Sequence, residues 1–372
     1  MPDFDRILSS LSEDDAATIV EIQDGYASVK DPVQKAQEEW DAFLHAFPDR
    51  DERIAKFFWI KTKNPDNPIT QFRFNYPQRK MNEAIKALRA KGKPVRLVLL
   101  KARQFGGSTF LQADGCDSVL TRQSFRAAVI AHKEASTQEI FDMTNRFVKN
   151  LPFTPPMETS ARDEIRTGHD SKYTTVTAGS DDTGRATSAH WAHLSEFSRY
   201  PDAVDLMSGA LQTVGRYGGT SIFIESTANG MGGIGGPFYD LCTAAQKGES
   251  GWTFLFIPWW QNEDYAIELD DDGCLRVEET LSDEEKWLCG NFKLSYNQIA
   301  WRRSTMKTEC FGNPQVFQVE YPAFPEEAFL HSGRPVFDLR RVMDLMKLTR
   351  EPIWRGQIVR RDKPVTVTDP DE

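Results

Sequence analysis

Residues 100–109 read LKARQFGGST and follow directly on a short apolar run. The stretch is close to the phosphate-binding pattern G-x-x-x-x-G-K-[ST]. Gly106 holds the place of the second glycine, and Ser108 and Thr109 supply hydroxyl groups where the pattern asks for one. Gly107, however, stands where the lysine belongs. A phosphate loop without its lysine needs a positive charge from another position, so the surroundings of this stretch decide how it is interpreted.

Two cations lie at the front of the same loop, Lys101 and Arg103. The run VRLVLL at 95–100 predicts a buried strand that leads into the loop, and a helix is expected to begin at Ser108. Backbone N–H groups at a helix N-terminus bind phosphate oxygens, and the serine hydroxyl is placed to ligate Mg²⁺. We therefore expect the cation to have moved to Lys101 or Arg103. An ordinary turn with an accidental G-G-S-T is the alternative.

Short β-rich runs alternate with helical stretches from about residue 70 to 258. This alternation predicts a mostly parallel sheet with helices on both faces. The β-rich runs are 95–100, 126–132, 173–179, 189–194 and 220–226, and the clearest helices are 133–151 and 202–214. Residues 1–65 are predicted to be polar helices. After Pro258 the sequence pattern changes again, to an acidic insert followed by helices.

Charge is distributed unevenly along the 372 residues. Residues 263–285 hold eleven acidic residues and one arginine, so the net charge of this segment equals the net charge of the whole chain, −10. A D-D-G hairpin turn is expected within this insert, because residues 268–279 match the calcium-loop pattern only in part. Residues 84–113 carry seven Lys/Arg and no acid. That run predicts either a local basic face for DNA or a solvated surface helix, and global charge does not decide between them.

A second element of a nucleotide site lies about ninety residues after the loop. HWAHLSEF ends a hydrophobic strand in Ser195-Glu196, where P-loop ATPases show Asp-Glu. A glutamate in this position orients or deprotonates the water that attacks the γ-phosphate. Ser195 cannot supply the usual carboxylate to magnesium, so Glu196 is expected to share that task through water. A surface glutamate after a buried strand is the alternative.

Arg185 lies between these elements in GSDDTGRATSAH, flanked by small and polar residues. An arginine presented on an exposed loop is suited to stabilise charge on a transferring phosphoryl group. A solvated loop arginine is the alternative. Upstream, FNYPQRKM offers Gln78 for the edge of adenine and Tyr76 for stacking on its ring, and downstream ESTANGMGG (225–233) is typical of a loop that senses the γ-phosphate.

The ordered set YPQ, KARQFGGST, GRATS, HLSEF, ESTANGMGG and YPAFPEEAFLHSGRPVFD resembles the large subunit of tailed-bacteriophage terminases over roughly residues 70–340. The resemblance implies an α/β fold: a RecA-like P-loop NTPase of the additional-strand, catalytic-glutamate type, whose mostly parallel sheet is flanked by helices. A small, mainly helical lid subdomain accompanies it. The implied domains are 1–65 as a helical part of the lid, 66–262 as the ATPase core, and 263–372 as lid and linker.

The resemblance also implies roles for individual residues. Glu196 is the catalytic carboxylate and Arg185 is a finger acting on a neighbouring subunit, while Ser108, and Glu196 through water, hold Mg²⁺. The remaining assignments are Lys101, Arg103, Gln104, Gly106, Gly107, Ser108 and Thr109 on the phosphates, Tyr76 and Gln78 on adenine, and Thr227, Ala228 and Asn229 in coupling. Some members of the family carry the loop lysine at the front of the motif, which is where Lys101 stands.

The implied function is an ATP- and Mg²⁺-dependent motor that moves double-stranded viral DNA into a procapsid in the host cytoplasm. Its implied partners are the terminase small subunit and the portal protein. We expect a homo-oligomeric ring on assembly, a monomer in solution, and no membrane contact. The five cysteines are widely spaced and are expected to be reduced thiols. The chain ends at Glu372, about where the family's nuclease begins, so nuclease activity is not expected.

Gly107 and Ser195 depart from the strictest patterns, so the rate and metal dependence of hydrolysis are in question. Two alternatives therefore stay open. The first is a two-lobed helicase or translocase, which needs a second strand–helix lobe. The second is a degenerate nucleotide-binding assembly scaffold, which binds nucleotide without turnover.

Overall fold

The computed structural model describes residues 4–160, 163–179, 189–208 and 214–329, with short pieces at 341, 345, 348, 357–359 and 366–368. By its internal contacts the chain divides into two compact units, Met1–His331 and Ser332–Glu372. This division coincides with neither of the predicted boundaries at residues 65 and 262, which stay predictions about parts of the larger unit. In the described part of the chain, no helix is long and apolar enough to cross a membrane.

The chain begins with helices, as the polar helical periodicity of residues 1–65 predicts, and a small hairpin that was not predicted follows them. Asp31 and Asp49 begin two of the helices, because each side chain accepts hydrogen bonds from N–H groups of the first turn. The elements are α1 (Phe4–Ser9), α2 (Glu13–Gly25), α3 (Pro32–Ala46), α4 (Arg50–Phe57), β1 (Trp59–Lys61) and β2 (Ile69–Gln71), with β1 and β2 antiparallel.

The central layer is an eight-stranded sheet. Its strands and the helices between them are α5 (Tyr76–Ala90), β3 (Val95–Lys101), α6 (Gly107–Thr121), β4 (Arg126–Ala131), α7 (Glu134–Lys149), β5 (Met157–Ser160), β6 (Glu164–Thr167), β7 (Lys172–Thr177), β8 (Trp191–Ser195), α8 (Ala203–Ser208), β9 (Ser221–Ser226), α9 (Gly236–Gln246) and β10 (Thr253–Ile257). The strand order is β10-β3-β9-β8-β4-β7-β6-β5.

The first six strands in this order, from β10 through β3, β9, β8 and β4 to β7, are parallel. β6 and β5 then extend the sheet with antiparallel pairs. β9 lies between β3, which leads into the glycine-containing loop, and β8, which ends before Glu196. β9 is therefore the additional strand of the predicted ATPase type, and the predicted fold class is confirmed. All five β-rich runs of the sequence are strands, whereas β5, β6 and β10 were not predicted.

Both faces of the sheet are buried, which explains why five of the seven residues of β3 are apolar on either face. Val95, Leu97 and Leu99 face a core that they share with α5, α6, α7 and the N-terminal helices. Val98 and Leu100 face a second core that includes residues of α9 and the end of α14 (Pro325–Ala328). Apolar side chains of the N-terminal helices join the core on the first face, and the assignment of these helices to a lid stays a prediction.

Helices follow the sheet in residues 263–329. They are α10 (Asp271–Glu279), α11 (Asp283–Phe292), α12 (Tyr296–Thr308), α13 (Pro314–Glu320) and the short α14. The expected D-D-G hairpin turn is wrong: Asp270 accepts a hydrogen bond from the Gly273 N–H and so begins α10. Aromatic rings connect these helices to the end of β10, and Tyr265 stacks on Trp301 with ring centroids 4.2 Å apart. The second unit contains the hairpin β11 (Gln357–Val359) and β12 (Thr366–Thr368). All five cysteines are free, as predicted.

The basic run at 84–113 is largely paired with protein groups. Lys86 and Arg89 contact Asp51 and Asp114, and Arg96 donates to the carbonyls of residues 214 and 215. Lys101 and Arg103 also form ion pairs, and Lys91 and Lys93 are exposed. Most charges of this run thus compensate acids of the same chain, and a local basic face and a solvated surface helix both stay predictions.

A buried ion pair fastens α4 to α6. The Arg53 guanidinium donates from Nε to Asp117 Oδ1 and from Nη2 to Asp117 Oδ2, both at 2.8 Å. Its Nη1 also donates to the carbonyls of Phe47 and Pro48. Both charged side chains are under a tenth exposed. The N-terminal helices are thus tied to the helix that follows the loop.

We expect Arg53→Met to lower the free energy of unfolding by roughly 3–5 kcal/mol, because the substitution leaves the buried Asp117 carboxylate without its counter-charge. Lys35→Met is the matched control. Lys35 pairs with Glu39 at 3.6 Å on an outer helix face, where such pairs contribute about 1 kcal/mol or less. Urea unfolding of both variants measures the difference. Equal, small losses would show that the pair does not hold α4.

Candidate active site

The loop between β3 and α6 approaches its neighbours so closely that side chains are excluded at two positions. Gly106 has φ = 78°, in the left-handed region that glycine tolerates best. A Cβ atom there would lie 2.5 Å from Nε2 of Gln78. α6 begins at the next residue, so the free N–H groups of its first turn face the loop. The backbone thus has the form of an anion-binding helix N-terminus.

Gly107 occupies the place of the missing lysine, and the structure explains why no side chain stands there. A Cβ atom on Gly107 would lie 2.3 Å from Cζ of Phe105. The Phe105 ring is buried and belongs to the core on the first face of the sheet. A lysine at this position would displace that ring, so the loop lysine and this packing exclude each other.

Lys101, the last residue of β3, carries a positive charge into the site. It is only 6% exposed, and its Nζ lies 3.1 Å from Glu196 Oε1 and 3.4 Å from Glu225 Oε2. Burial on its own lowers the pKa of Lys101, but the two glutamates outweigh burial and raise the pKa above its ordinary value. Lys101 is therefore an ammonium ion enclosed between two carboxylates.

Arg103, the other candidate cation, is held by the helices that follow the sheet. Its Nε lies 2.6 Å from Glu320 Oε2, and its backbone N–H donates to the Glu320 carbonyl at 2.9 Å. The Tyr265 hydroxyl donates to the Arg103 carbonyl at 2.5 Å. Arg103 thus ties the front of the loop to α13, while Lys101 is the cation that meets Glu196.

Glu196 follows the last residue of β8 and has an unusual backbone conformation. Its φ and ψ are 58° and 44°, in the left-handed region, where a non-glycine residue is strained. Its side chain is 27% exposed and lies between Lys101 and Arg199, whose Nε is 3.8 Å from Glu196 Oε2. This backbone conformation places the carboxylate at the carboxyl edge of the sheet, beside the loop.

Glu225, the fifth residue of β9, is the acid that sequence reasoning did not assign. It is fully buried, and its Oε1 accepts hydrogen bonds from Ser108 Oγ at 2.5 Å and from Ser195 Oγ at 3.1 Å. His193 Nε2 lies 3.3 Å from the same oxygen. Burial raises the pKa of Glu225, but the charge of Lys101 and these hydrogen bonds outweigh it, so the pKa lies below its ordinary value.

A signal for Glu225 was present in the sequence. TSIFIES places one carboxylate at the end of a run that is otherwise apolar or small. Charged residues are almost never fully buried unless they are paired. The run therefore indicated a buried partner for a cation, although it did not say which cation, because the partner is more than a hundred residues away.

A chain of hydrogen bonds behind Glu225 sets the tautomer of His193. The Tyr173 hydroxyl donates to Gln112 Oε1, which directs the Gln112 amide nitrogen to His193 Nδ1 at 2.7 Å. Since Nδ1 accepts that hydrogen bond, the ring proton of neutral His193 is on Nε2, which faces Glu225. His193 thus turns an N–H group toward the buried carboxylate.

Gln78 and Tyr76, predicted to bind adenine, lie at the start of α5. Gln78 is buried, and both ends of its amide are occupied: Nε2 donates to the Gly106 carbonyl and Oε1 accepts from the Asn75 N–H, each at 2.9 Å. Asn75 in turn donates to the Phe105 carbonyl at 3.0 Å. These contacts hold the loop in place. Tyr76 is 44% exposed. The adenine-binding roles of both residues stay predictions.

The other predicted residues are placed as follows. Gln104 is exposed and its Oε1 accepts from Lys63 Nζ at 2.5 Å, while Thr109 is partly exposed in the first turn of α6. Their phosphate contacts stay predictions. Arg185 lies outside the described residues, and its role also stays a prediction.

The segment 227–229 follows β9 and packs beside Glu196. Thr227 and Ala228 are buried, and Asn229 Nδ2 donates to the Ser198 carbonyl at 3.1 Å. The preceding Ser226 hydroxyl donates to Ser198 Oγ at 2.8 Å. The predicted coupling residues are thus joined to the turn that follows Glu196.

The site has the donors that magnesium with a nucleotide requires. Mg²⁺ commonly takes one or two carboxylates and a hydroxyl together with phosphate oxygens and water. Ser108, Glu225 and Glu196 present these oxygens at one edge of the sheet. Over the ranges that the structure describes, no group of three or more His, Cys, Asp or Glu could hold a metal by protein ligands alone.

No family model matches this chain, and no curated protein matches it. Among solved structures the chain is similar to the large terminase of bacteriophage HK97, at 14% identity over 73% of this chain and 53% of that one, with a TM-score of 0.49. It is also similar to the large terminase ATPase domain of Thermus phage P74-26, at 14% identity over 61% and 87%, TM-score 0.39. A third is the large terminase of a thermophilic bacteriophage in complex with ATP-gamma-S, at 10% identity over 56% and 50%, TM-score 0.38.

These solved structures are all phage large terminases or their ATPase domains, the family that the sequence resembles. The chain spans about half the length of the HK97 protein.

We expect Gln78→Ala to lower the free energy of unfolding by about 1–3 kcal/mol in the absence of nucleotide, because the Gly106 carbonyl and the Asn75 N–H each lose a partner. Gln34→Ala is a close control, since Gln34 also lies in the third position of its helix but is exposed. Its substitution is expected to change stability by about 0.5 kcal/mol or less. Denaturant unfolding measures both, and equal values would contradict a loop-holding role.

Proposed function

We propose that this chain is an Mg²⁺-dependent ATPase, the motor part of a terminase large subunit that drives double-stranded viral DNA into a procapsid. One observation carries the proposal. The glycine loop after β3, the buried Lys101 and the strained Glu196 meet at the carboxyl edge of a parallel sheet in which an additional strand separates β3 from β8. Ligands of open α/β sheets bind outside the carboxyl ends of the strands.

The loop and Lys101 would bind the phosphates of ATP. The N–H groups at the start of α6 present donors to phosphate oxygens, and the left-handed conformation of Gly106 lets the backbone turn into that helix. Lys101 is 3.1 Å from Glu196 and 3.4 Å from Glu225, so its ammonium would exchange a carboxylate for a phosphate oxygen when ATP binds. This exchange uses a charge already present in the site.

Glu196 would then act on water. Its carboxylate is partly exposed and loses one of its two cationic neighbours when Lys101 turns to the phosphates. A carboxylate in that position accepts the proton of the attacking water or orients it. Magnesium, when bound with ATP, neutralises charge on the phosphates. Ser108 and Glu196 are the residues predicted to support it, Glu196 through water.

The remaining roles extend outward from the phosphates. Gln78 and Tyr76 are proposed to bind adenine, which would require Gln78 to give up part of its contact with the loop. Arg103, Gln104 and Thr109 are proposed to border the phosphates, and Arg185 to reach the site of a neighbouring subunit. Thr227, Ala228 and Asn229 are proposed to pass the nucleotide state onward, which their contact with Ser198 supports.

The motor function includes partners beyond this chain. The resemblance supports double-stranded DNA, a terminase small subunit, a portal protein and a homo-oligomeric ring that forms from monomers in the host cytoplasm. DNA would be gripped through its phosphates, since packaging must accept any sequence. The basic run at 84–113 is not assigned to this grip, because most of its charges are paired internally.

The site favours the ATPase over two other functions. A two-lobed helicase needs a second strand–helix lobe, and the described residues 263–329 are helical without a strand. A nucleotide-gated scaffold without turnover would keep the loop. It would not need a carboxylate held beside that loop by a strained backbone. The position of Glu196 therefore favours the ATPase, and turnover distinguishes the two.

We expect Glu196→Gln to reduce steady-state ATP hydrolysis by roughly 10²–10⁴-fold with nucleotide binding retained, because the amide keeps the size of the side chain but cannot accept the proton of water. Glu249→Gln, at an exposed position away from the sheet edge, is the control and is expected to match the parent chain. Hydrolysis is measured by phosphate release with Mg²⁺. An unchanged rate in Glu196→Gln would remove Glu196 from the reaction, and no turnover in the parent chain would favour the scaffold.

We expect the chain to bind double-stranded DNA with an affinity that falls steeply with salt. A protein that contacts six to ten phosphates loses roughly 10³–10⁵ in affinity between about 50 and 200 mM salt. Fluorescence anisotropy with two duplexes of equal length and scrambled sequence measures both the salt dependence and the lack of sequence preference. Salt-insensitive binding, or a strong preference for one duplex, would contradict the proposed grip.

A further inference from the structure

The position before Glu196 lacks a carboxylate. P-loop ATPases hold Mg²⁺ between the loop hydroxyl and an aspartate at the end of the strand that precedes the catalytic residue. This chain has Ser195 in that place. A neutral hydroxyl is a weak substitute, so the metal side of the site is short of one negative charge.

Glu225 lies beside that gap. β8 and β9 are parallel neighbours, and Ser195 and Glu225 are partners in their register. Neighbouring strands are about 4.8 Å apart, so side chains in register on one face can reach the same point. Glu225 Oε1 accepts from Ser195 Oγ at 3.1 Å and from Ser108 Oγ at 2.5 Å. The carboxylate therefore contacts both the loop hydroxyl of Ser108 and the Ser195 hydroxyl that stands in the place of the aspartate.

The burial of Glu225 also requires a cation. The residue is fully buried, and its Oε2 accepts no hydrogen bond in the described part of the chain, with Lys101 Nζ at 3.4 Å as its ion-pair partner. A buried carboxylate without a counter-charge is strongly unfavourable. If Lys101 turns to the phosphates, Glu225 loses that partner, and a divalent cation restores the balance.

We infer that Glu225 supplies the carboxylate on the metal side of the ATP site, in place of the acid that Ser195 lacks. This inference rests on the proposed ATPase function and adds a residue to it. His193 lies beside this carboxylate, with its Nε2 3.3 Å from Glu225 Oε1. Metal and phosphate binding are thereby coupled: Lys101 leaves Glu225 for the phosphates as Mg²⁺ takes its place beside the carboxylate.

The test compares nucleotide affinity with and without metal. Binding of ATP-γ-S is measured by calorimetry in Mg²⁺ and in EDTA, and Mn²⁺ occupancy by electron paramagnetic resonance. For the parent chain, Mg²⁺ is expected to tighten binding. For Glu225→Gln, this Mg²⁺ enhancement is expected to fall roughly 10–100-fold, the usual effect of losing a carboxylate that ligates or orients a bound metal, with affinity in EDTA little changed. Glu249→Gln is the control and keeps the parent's enhancement.

A rescue variant places the carboxylate one strand away. Glu225→Gln combined with Ser195→Asp restores a buried acid at the neighbouring position in the register. We expect this double variant to regain the Mg²⁺ enhancement and the Mn²⁺ signal. Circular dichroism shows whether Glu225→Gln alone folds. If it does not, the double variant replaces it in the test. A folded double variant that binds nucleotide without any Mg²⁺ enhancement would overturn the inference.

Three further results would overturn it. Glu225→Gln could keep the full Mg²⁺ enhancement, which would remove the residue from the metal side. It could lose affinity equally in Mg²⁺ and in EDTA, which would make Glu225 only the counter-charge of Lys101. If the parent chain bound no nucleotide at all, the proposed ATPase function would fall and this inference with it. The first two results leave the ATPase intact, so the two failures are distinguishable.

Discussion

Lys101 carries a charge at a position that is almost closed to water, and a buried ammonium ion needs opposite charge close by. Glu196 and Glu225 provide it, the first from the end of β8 and the second from β9. This contact is available only if β9 lies between β3 and β8 with the carboxyl ends of all three strands in register. The charges of the site are therefore balanced only in this strand order of the sheet.

The same constraint accounts for the unusual loop. With the cation delivered from the strand, the place of the loop lysine is free to be glycine, and Phe105 uses the space for packing. The loop is then held from both sides: Gln78 and Asn75 bond its carbonyls from α5, and Arg103 joins it to Glu320. A change in the loop on nucleotide binding would thus be transmitted through Arg103 to α13, one of the helices that follow the sheet.

Local patterns predicted most of the framework. Apolar runs and helical periodicity located five strands and the helices between them, because each signal lies within one element. Other features depended on partners far along the chain. β10 joins the edge of the sheet beside β3, and β5 and β6 extend the other edge in antiparallel pairs, neither of which an isolated short run discloses. The start of α10 was missed because one hydrogen bond from Gly273 to Asp270 turns an apparent hairpin into a helix.

By itself, the sequence determined the class of fold, the position of the loop and the carboxylate at Glu196, since glycine, hydroxyl and acid residues at strand ends are visible in order along the chain. The tertiary structure alone decided that Lys101 is the cation facing Glu196, that Arg103 pairs with Glu320, and that Glu225 occupies the centre of the site. The physical reason is that an ion pair depends on the distance between two charges in space. Here the partners are about a hundred residues or more apart. The packing of β3, β8 and β9 brings Lys101 to its two glutamates, and α13 brings Glu320 to Arg103.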